Sequence, residues 1–434
     1  METTPDPSLN DDLRDAWKNL ASYGTPPASE IAGRVLPAWS VGLDRWLDRL
    51  TKEYLRDYCR RNSHFKLALA PYGGGKTHFL LTLAGRATEE NWATCYLQCK
   101  LNVSLGDWYG LYEHVAKSIQ LPGSKLRGVK LVFQAALDRM RKQAESAPEP
   151  DFALDKMIGA LEDDDWPHTA FARVAVAFLN HLRDPRMNQE LGKAALRWLQ
   201  GEALENKKQR ELLDVNPVTA QGRSQHGQTL FCSLVKFIPR AGVNGLVLLF
   251  DEMDTMLNVK GKALEKIFVS IRVLTDAPDQ KLPLFGIFGA VPDIVQLIRN
   301  SGAQFLISRY QVVVPFHEGD DNAPILDLSE LGSQNEMLRA IGEKLLQLGV
   351  QVHNWKFNLD LQRRNLRNLA ELTATRRLEV NARRLFVKTW CSLLEEQARN
   401  GESEKSETEL TNLIEGAYSG FRKAEEERKE EDLG

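Results

Sequence analysis

The eight residues Ala70-Pro71-Tyr72-Gly73-Gly74-Gly75-Lys76-Thr77 constrain this chain more than any others. They follow an apolar run, Phe65-Lys66-Leu67-Ala68-Leu69, and precede a stretch of helical character, His78-Phe79-Leu80-Leu81-Thr82-Leu83-Ala84. Buried strand, glycine loop and helix, in that order, are the context of a phosphate-binding P-loop. Glycines reach backbone angles that side chains forbid and let the chain close on a phosphate. The amides of the loop and of the first helical turn, through His78, point at an anion that the helix dipole also favours. Lys76 is placed to reach the β- and γ-phosphates of ATP, and the Thr77 hydroxyl to hold Mg²⁺. The usual first glycine of such a loop is Ala70 here, and the sequence leaves the geometry of that corner open.

The run Leu246-Val247-Leu248-Leu249-Phe250-Asp251-Glu252 supplies the complement. It reads as a fully buried strand ending in two carboxylates. Asp251 is the candidate to hold Mg²⁺ through its water shell, since this ion keeps waters and takes few protein carboxylates. Glu252 is the candidate to orient and deprotonate an attacking water. A small-molecule kinase has no need of a water-activating glutamate, so the pair points to hydrolysis.

The net charge of −3 announces no nucleic-acid binder, and any such surface must be local. No apolar run approaches the length of a membrane span, and the polar start Met1-Glu2-Thr3-Thr4-Pro5 reads as no export signal, so a cytoplasmic protein is expected. Cys95 and Cys99 fall in a predicted strand, where four residues span about 13 Å, too far for one zinc ion. The five cysteines read as buried free thiols, and no structural metal is expected.

The alternation of strands and helices predicts an α/β fold, a parallel sheet with a helical insertion at about 122–240, followed by an all-helical segment. Residues 1–25, rich in Pro, Asp and Ser, are expected to be disordered. The ATP-binding core is assigned to 26–320, a small helical domain to 321–400 and a charged tail to 401–434, which holds 11 acidic and 5 basic residues.

Two further features resemble the AAA+ superfamily of P-loop ATPases, and one departs from it. Gly289-Ala290-Val291 follow the predicted strand at Leu284–Phe288, where those enzymes carry a polar residue, sensor 1; none of the three has a side-chain donor. Arg309, before Val312-Val313-Val314, resembles the arginine finger that enters a neighbouring subunit's site. Arg383 or Arg384, at the head of an amphipathic helix, matches sensor 2 of the helical lid, and the sequence does not choose between them. Residues 361–390 hold eight basic and two acidic residues, so Arg363, Arg364 and Arg367 read either as a solvated face or as a DNA-backbone contact surface.

With these residues in hand, the chain resembles the BrxD-like ATP-binding proteins of bacteriophage-exclusion (BREX) defence systems. The resemblance rests on Tyr72 to Leu80, on Gly245 to Glu252, and on Arg197-Trp198-Leu199-Gln200-Gly201-Glu202, similar to a tryptophan-leucine-x-glycine-glutamate element of that family. The resemblance implies an AAA+ ATPase acting with other defence-system proteins in an antiphage complex, and the function expected is that of a homo-oligomer coupling ATP binding and hydrolysis to remodelling of DNA or partner proteins. The alternative is an ATP-binding switch or scaffold with little hydrolysis, consistent with Ala70 and the apolar segment at Ala290.

Overall fold

The computed structural model of the chain describes residues 7–24, 34–72, 74–99, 105–186, 188–204, 206–275, 281–301, 303, 306, 308, 316, 320, 322–328, 333–375 and 382–431. In chain order these form α1 (Pro7–Tyr23), α2 (Asp44–Leu50), β1 (Ser63–Leu69), α3 (Lys76–Glu89) and β2 (Ala93–Gln98). The insertion follows: α4 (Trp108–Ser118), α5 (Val129–Ala144), α6 (Pro150–Gly159), α7 (Phe171–Arg183), α8 (Gln189–Leu199), α9 (Lys207–Leu213) and α10 (Arg223–Phe237). Then come β3 (Leu246–Asp251), α11 (Gly261–Thr275), β4 (Leu284–Ala290), α12 (Asp293–Asn300) and β5 (Ile325–Asp327). The chain finishes with α13 (Gln334–His353), α14 (Leu359–Thr375), α15 (Ala382–Asn400) and α16 (Glu407–Glu431).

Two compact units emerge, Asp48–Ala68 with Arg86–Leu326, and Met1–Leu47 with Leu69–Gly85 and Asp327–Gly434. Compactness thus groups residues 69–85 with the C-terminal helices, where strand and helix alternation alone assigns them to the core.

The first unit is built on a five-stranded parallel sheet in the order β2-β3-β4-β1-β5. Leu246 of β3 stands opposite both Ala93 of β2 and Leu284 of β4. Every residue of β3 and β4 is buried, which is why these strands read as continuous apolar runs rather than alternating ones. Gly286 is fixed by packing, since a Cβ there would lie 1.9 Å from the ring of Phe65 on β1. Phe65 and Phe250 in turn stack on Phe288 at 5.4 and 5.0 Å. Lys66 is wholly buried on β1; its ammonium donates to the Ala323 carbonyl at 2.7 Å and lies over the rings of Tyr54 and Phe316. That contact ties β1 to the segment entering β5, where Pro324 accepts from the Leu67 amide. The insertion has its own aromatic core: Phe133 stacks on Phe237 at 4.2 Å, and Trp166 meets Phe171 at 5.0 Å.

The second unit corrects the expectation of a disordered start. Residues 7–23 form α1, whose Leu13, Ala16, Trp17 and Leu20 recur at helical spacing and are buried. Trp17 packs edge-on against His353 and Trp355 at 5.6 and 5.4 Å and donates to Glu395 at 3.1 Å. Composition averaged over the segment hides this stripe, and the helix is held by tertiary packing rather than by its own propensity. Gly24 ends it at φ +63°, its amide bonded to the Leu20 carbonyl. A capping box starts α13: Ser333 Oγ accepts from the Glu336 amide, and the Glu336 carboxylate accepts from the Ser333 amide.

Candidate functional site

The glycine loop is shaped by contacts that admit few other residues. The Gly74 amide donates to the Pro71 carbonyl at 2.8 Å, and a Cβ on Gly74 would lie 2.6 Å from Cβ of Ala70. Ala70 is therefore accommodated because Gly74 faces it, which settles the corner the sequence leaves open. Gly75 has φ +93°, a conformation side chains rarely adopt, and α3 begins there, with the Phe79 amide bonded to the Gly75 carbonyl. Gly73 lies outside the described residues.

Two cations meet this loop. Lys76, 8% exposed, donates to the carbonyls of Ala70 at 3.1 Å and Pro71 at 3.4 Å, and its ammonium sits 5.3 Å from the ring of the exposed Tyr72. Arg383, at the start of α15, donates through Nη1 to the Gly74 carbonyl at 2.7 Å, and burial lowers its pKa. Arg384 points elsewhere, donating to the Tyr23 carbonyl at 3.0 Å with its guanidinium over Phe421. Of the two lid candidates, only Arg383 faces the loop.

Thr77 and His78 complete the first turn of α3. Ser40 Oγ donates to the Leu36 carbonyl at 2.8 Å, so at 2.6 Å it accepts the proton of His78 Nε2. This tautomer is inferred from the network. Burial first, and then the charges of Arg383 and Lys344, push His78 down to about 4, leaving it neutral. Lys344 of α13 donates to the carbonyl of the same Ser40. Sequence reasoning misses Ser40 and Lys344, which lie 38 and 266 residues from His78 and carry no local signal.

The carboxylate pair lies in the sheet unit. Asp251, 1% exposed, ends β3; its Oδ2 accepts from the Tyr96 hydroxyl at 2.6 Å and its Oδ1 from the Glu252 amide at 2.9 Å. The register explains the first bond. Gln98 of β2 is opposite Asp251, and Tyr96, two residues earlier, shares its face. Burial and the Asp251 charge push the Tyr96 phenol far above its usual range, so it stays a donor. Glu252 has φ +58°, a left-handed conformation unfavourable for a residue with a side chain. Strain of this kind gathers at functional positions. Asp254 is committed elsewhere, accepting from the Val291 amide at 2.6 Å. Ala290, which ends β4, and Val291 after it are buried and bring no side-chain donor.

Arg309 and Val312 to Val314 lie outside the described residues. Arg363 is paired bidentately with Glu343, at 2.8 Å for the shorter contact, and Arg364 with Glu404 at 2.9 Å; Arg367 is exposed on the same helix. The five cysteines are buried and unbridged, and no helix among the described residues is long and apolar enough to cross a membrane.

Compared with known proteins, the chain matches a family model described as BREX system ATP-binding protein BrxC/D over residues 31–412. No curated protein and no solved structure matches it.

Proposed function

The chain belongs to the BrxC/D family of BREX ATP-binding proteins, and from that premise we propose that it is a Mg²⁺-dependent AAA+ P-loop ATPase of the defence system. The observation that carries the reading is the convergence of Lys76 and Arg383 on the carbonyls of one glycine loop. Two cations held at three carbonyls of one loop gather positive charge at the start of α3, which supports a polyphosphate site there with loop amides as further donors. In this reading Ala70 to His78 cradle the phosphates, Lys76 bridges the outer two, and Arg383 senses the terminal one from a helical lid.

The residues also suit a hard cation. Thr77, a hydroxyl oxygen, and Asp251, a buried carboxylate, are each proposed as a ligand of Mg²⁺, an ion that takes oxygen donors. Once bound, the ion neutralises charge on the phosphates. Asp251 is oriented by Tyr96 and the Glu252 amide, so it presents a fixed oxygen without a change of rotamer. Glu252 receives the proton of the attacking water.

Arg309 is proposed as a finger supplied by a neighbouring subunit, which makes a homo-oligomer the active form. Partners within the defence system follow from the family; DNA is the weaker partner reading, since Arg363 and Arg364 are already paired with carboxylates. A second reading, an ATP-gated switch with little hydrolysis, is favoured by the apolar segment at Ala290 and Val291.

Turnover and binding separate the two. Glu252→Gln keeps the size and hydrogen bonding of the side chain but accepts no proton. It is expected to bind ATP as wild type does and to lose about 100-fold or more in hydrolysis, within the range for a removed general base. Wild-type hydrolysis indistinguishable from that of the variant, at every protein concentration, supports the switch instead.

A further inference from the structure

Arg197-Trp198-Leu199-Gln200-Gly201-Glu202 has no part in the proposed phosphate chemistry, and its residues build another feature of the sheet unit. The Leu199 carbonyl accepts from the Tyr112 hydroxyl at 2.7 Å. Gly201 has φ +79°, and a Cβ there would lie 3.0 Å from Cα of Glu113, so this turn presses onto α4 without a side chain between. The turn leaves Trp198 and Glu202 lining a half-open cavity of about 210 Å³, closed by Tyr109, Leu204, Val215 and Pro217. Trp198 is braced from behind by His168 and His226, ring to ring at 5.1 and 6.1 Å. The Ala170 amide donates to His168 Nδ1 at 3.2 Å, so His168 Nε2 carries the proton it gives to His226 Nδ1 at 3.0 Å. Trp198 is thus held against two imidazole rings.

Size narrows the occupant. An engineered apolar cavity of about 150 Å³ holds benzene, whereas small-molecule sites run to about 300–1,000 Å³. The cavity takes one aromatic side chain and is too small for a nucleotide. Charge narrows it further. Arg197 is paired with Glu202 at 2.9 Å, Arg210 donates to the Leu204 carbonyl, and Arg223 meets Asp107 at 3.4 Å over the ring of Tyr109. These arginines are engaged within the protein, and a carboxylate on the wall disfavours a polyanion. Glu202 keeps acceptor capacity beyond its ion pair, and Asn216 adds an amide. Both complement a ring that carries its own donor, a phenol O–H or an indole N–H. Among the lining residues, Val218 is 36% exposed and offers an apolar surface beside the opening. We propose that this pocket receives a tyrosine or tryptophan side chain of a partner protein as the anchor of an interface.

The test selects displayed random peptides on the full-length chain and measures the affinity of the winners. Enriched peptides are expected to share a tyrosine or tryptophan whose replacement by alanine weakens binding about 10-fold or more, as for an interface anchor. Ala203→Trp, which obstructs the pocket from an exposed position, is expected to cause a comparable loss; Val218→Glu at the rim gives a second variant should the first misfold. Both are expected to keep the ATP-dependent melting shift of wild type, so the outcome is separate from that of the nucleotide site. No enrichment, winners without a common aromatic residue, or undiminished binding to both variants overturns the proposal. A fluorescent oligothymidine that binds wild type and not Ala203→Trp also overturns it, by making the pocket a base site.

Discussion

Arg383 Nη1 donates a 2.7 Å hydrogen bond to the carbonyl of Gly74, inside the glycine loop, while the adjacent Arg384 bonds to Tyr23. The head of α15 therefore does two separable things. One arginine reaches the loop; the next fastens the end of α1. A charged hydrogen bond contributes about 1.5–3 kcal/mol. Arg383→Ala is accordingly expected to weaken ATP binding about 10- to 100-fold by titration calorimetry. Arg384→Ala is expected to lower the melting temperature and leave ATP affinity within about 3-fold, the effect of a lost contact remote from ligand. Equal losses of affinity in the two variants count against this division.

The loop glycines are not equivalent. Gly75→Ala places a Cβ at φ +93° and 3.0 Å from Arg383 Nη1. It is expected to cost about 1–2 kcal/mol of stability and most of the ATP affinity. Ala70→Gly restores the usual loop residue and keeps the carbonyl that accepts from Lys76; it is expected to bind ATP as well as wild type, losing about 0.5–1 kcal/mol of stability through backbone entropy. ATP binding by Gly75→Ala at wild-type strength, seen in calorimetry, sets aside the geometric account of the loop.

Acid should weaken the fold through buried imidazoles. His78 is pushed down to about 4, and His168 in the insertion also to about 4, both chiefly by burial. An unfolded histidine titrates near 6.5, so between about 6.5 and about 4 the unfolded chain binds more protons. Stability from these groups is fully present above about pH 6.5 and is lost as pH falls toward 4, at up to about 1.4 kcal/mol per pH unit per group. His78→Asn is expected to flatten that slope in urea unfolding between pH 6.5 and 4.5 while shifting the midpoint at pH 8 far less. An unchanged slope shows that His78 is not among the groups responsible.

Local features of the site were legible in the sequence, and distant ones were not. The loop, the helix after it and the Asp251-Glu252 strand end are each set by consecutive residues, so their elements can be read directly. The insertion was legible because a long helical stretch separates two apolar runs. Ser40 and Lys344 escaped because their partner, His78, is reached only through the fold. The helix α1 escaped for a related reason: four apolar residues suffice when Trp17 has His353, Trp355 and Glu395 to pack against, and none of those is near it in sequence. The choice between Arg383 and Arg384 depends on helix phase at the loop, which adjacent residues cannot reveal. Short β5, entered through Pro324, offers too few residues for a strand pattern.

The most direct test of the central claim is the ATP-dependent melting shift of Lys76→Ala beside that of wild type, with Mg²⁺ present. A ligand that binds only the folded state stabilises it by about 2.7 kcal/mol at 100 times its dissociation constant and about 4.1 at 1,000 times. Wild type is expected to gain stability in that range, and Lys76→Ala, lacking the loop's own cation, to gain almost none while melting normally without ATP. An equal shift in both proteins places the ATP elsewhere and contradicts the assignment of the glycine loop as its site.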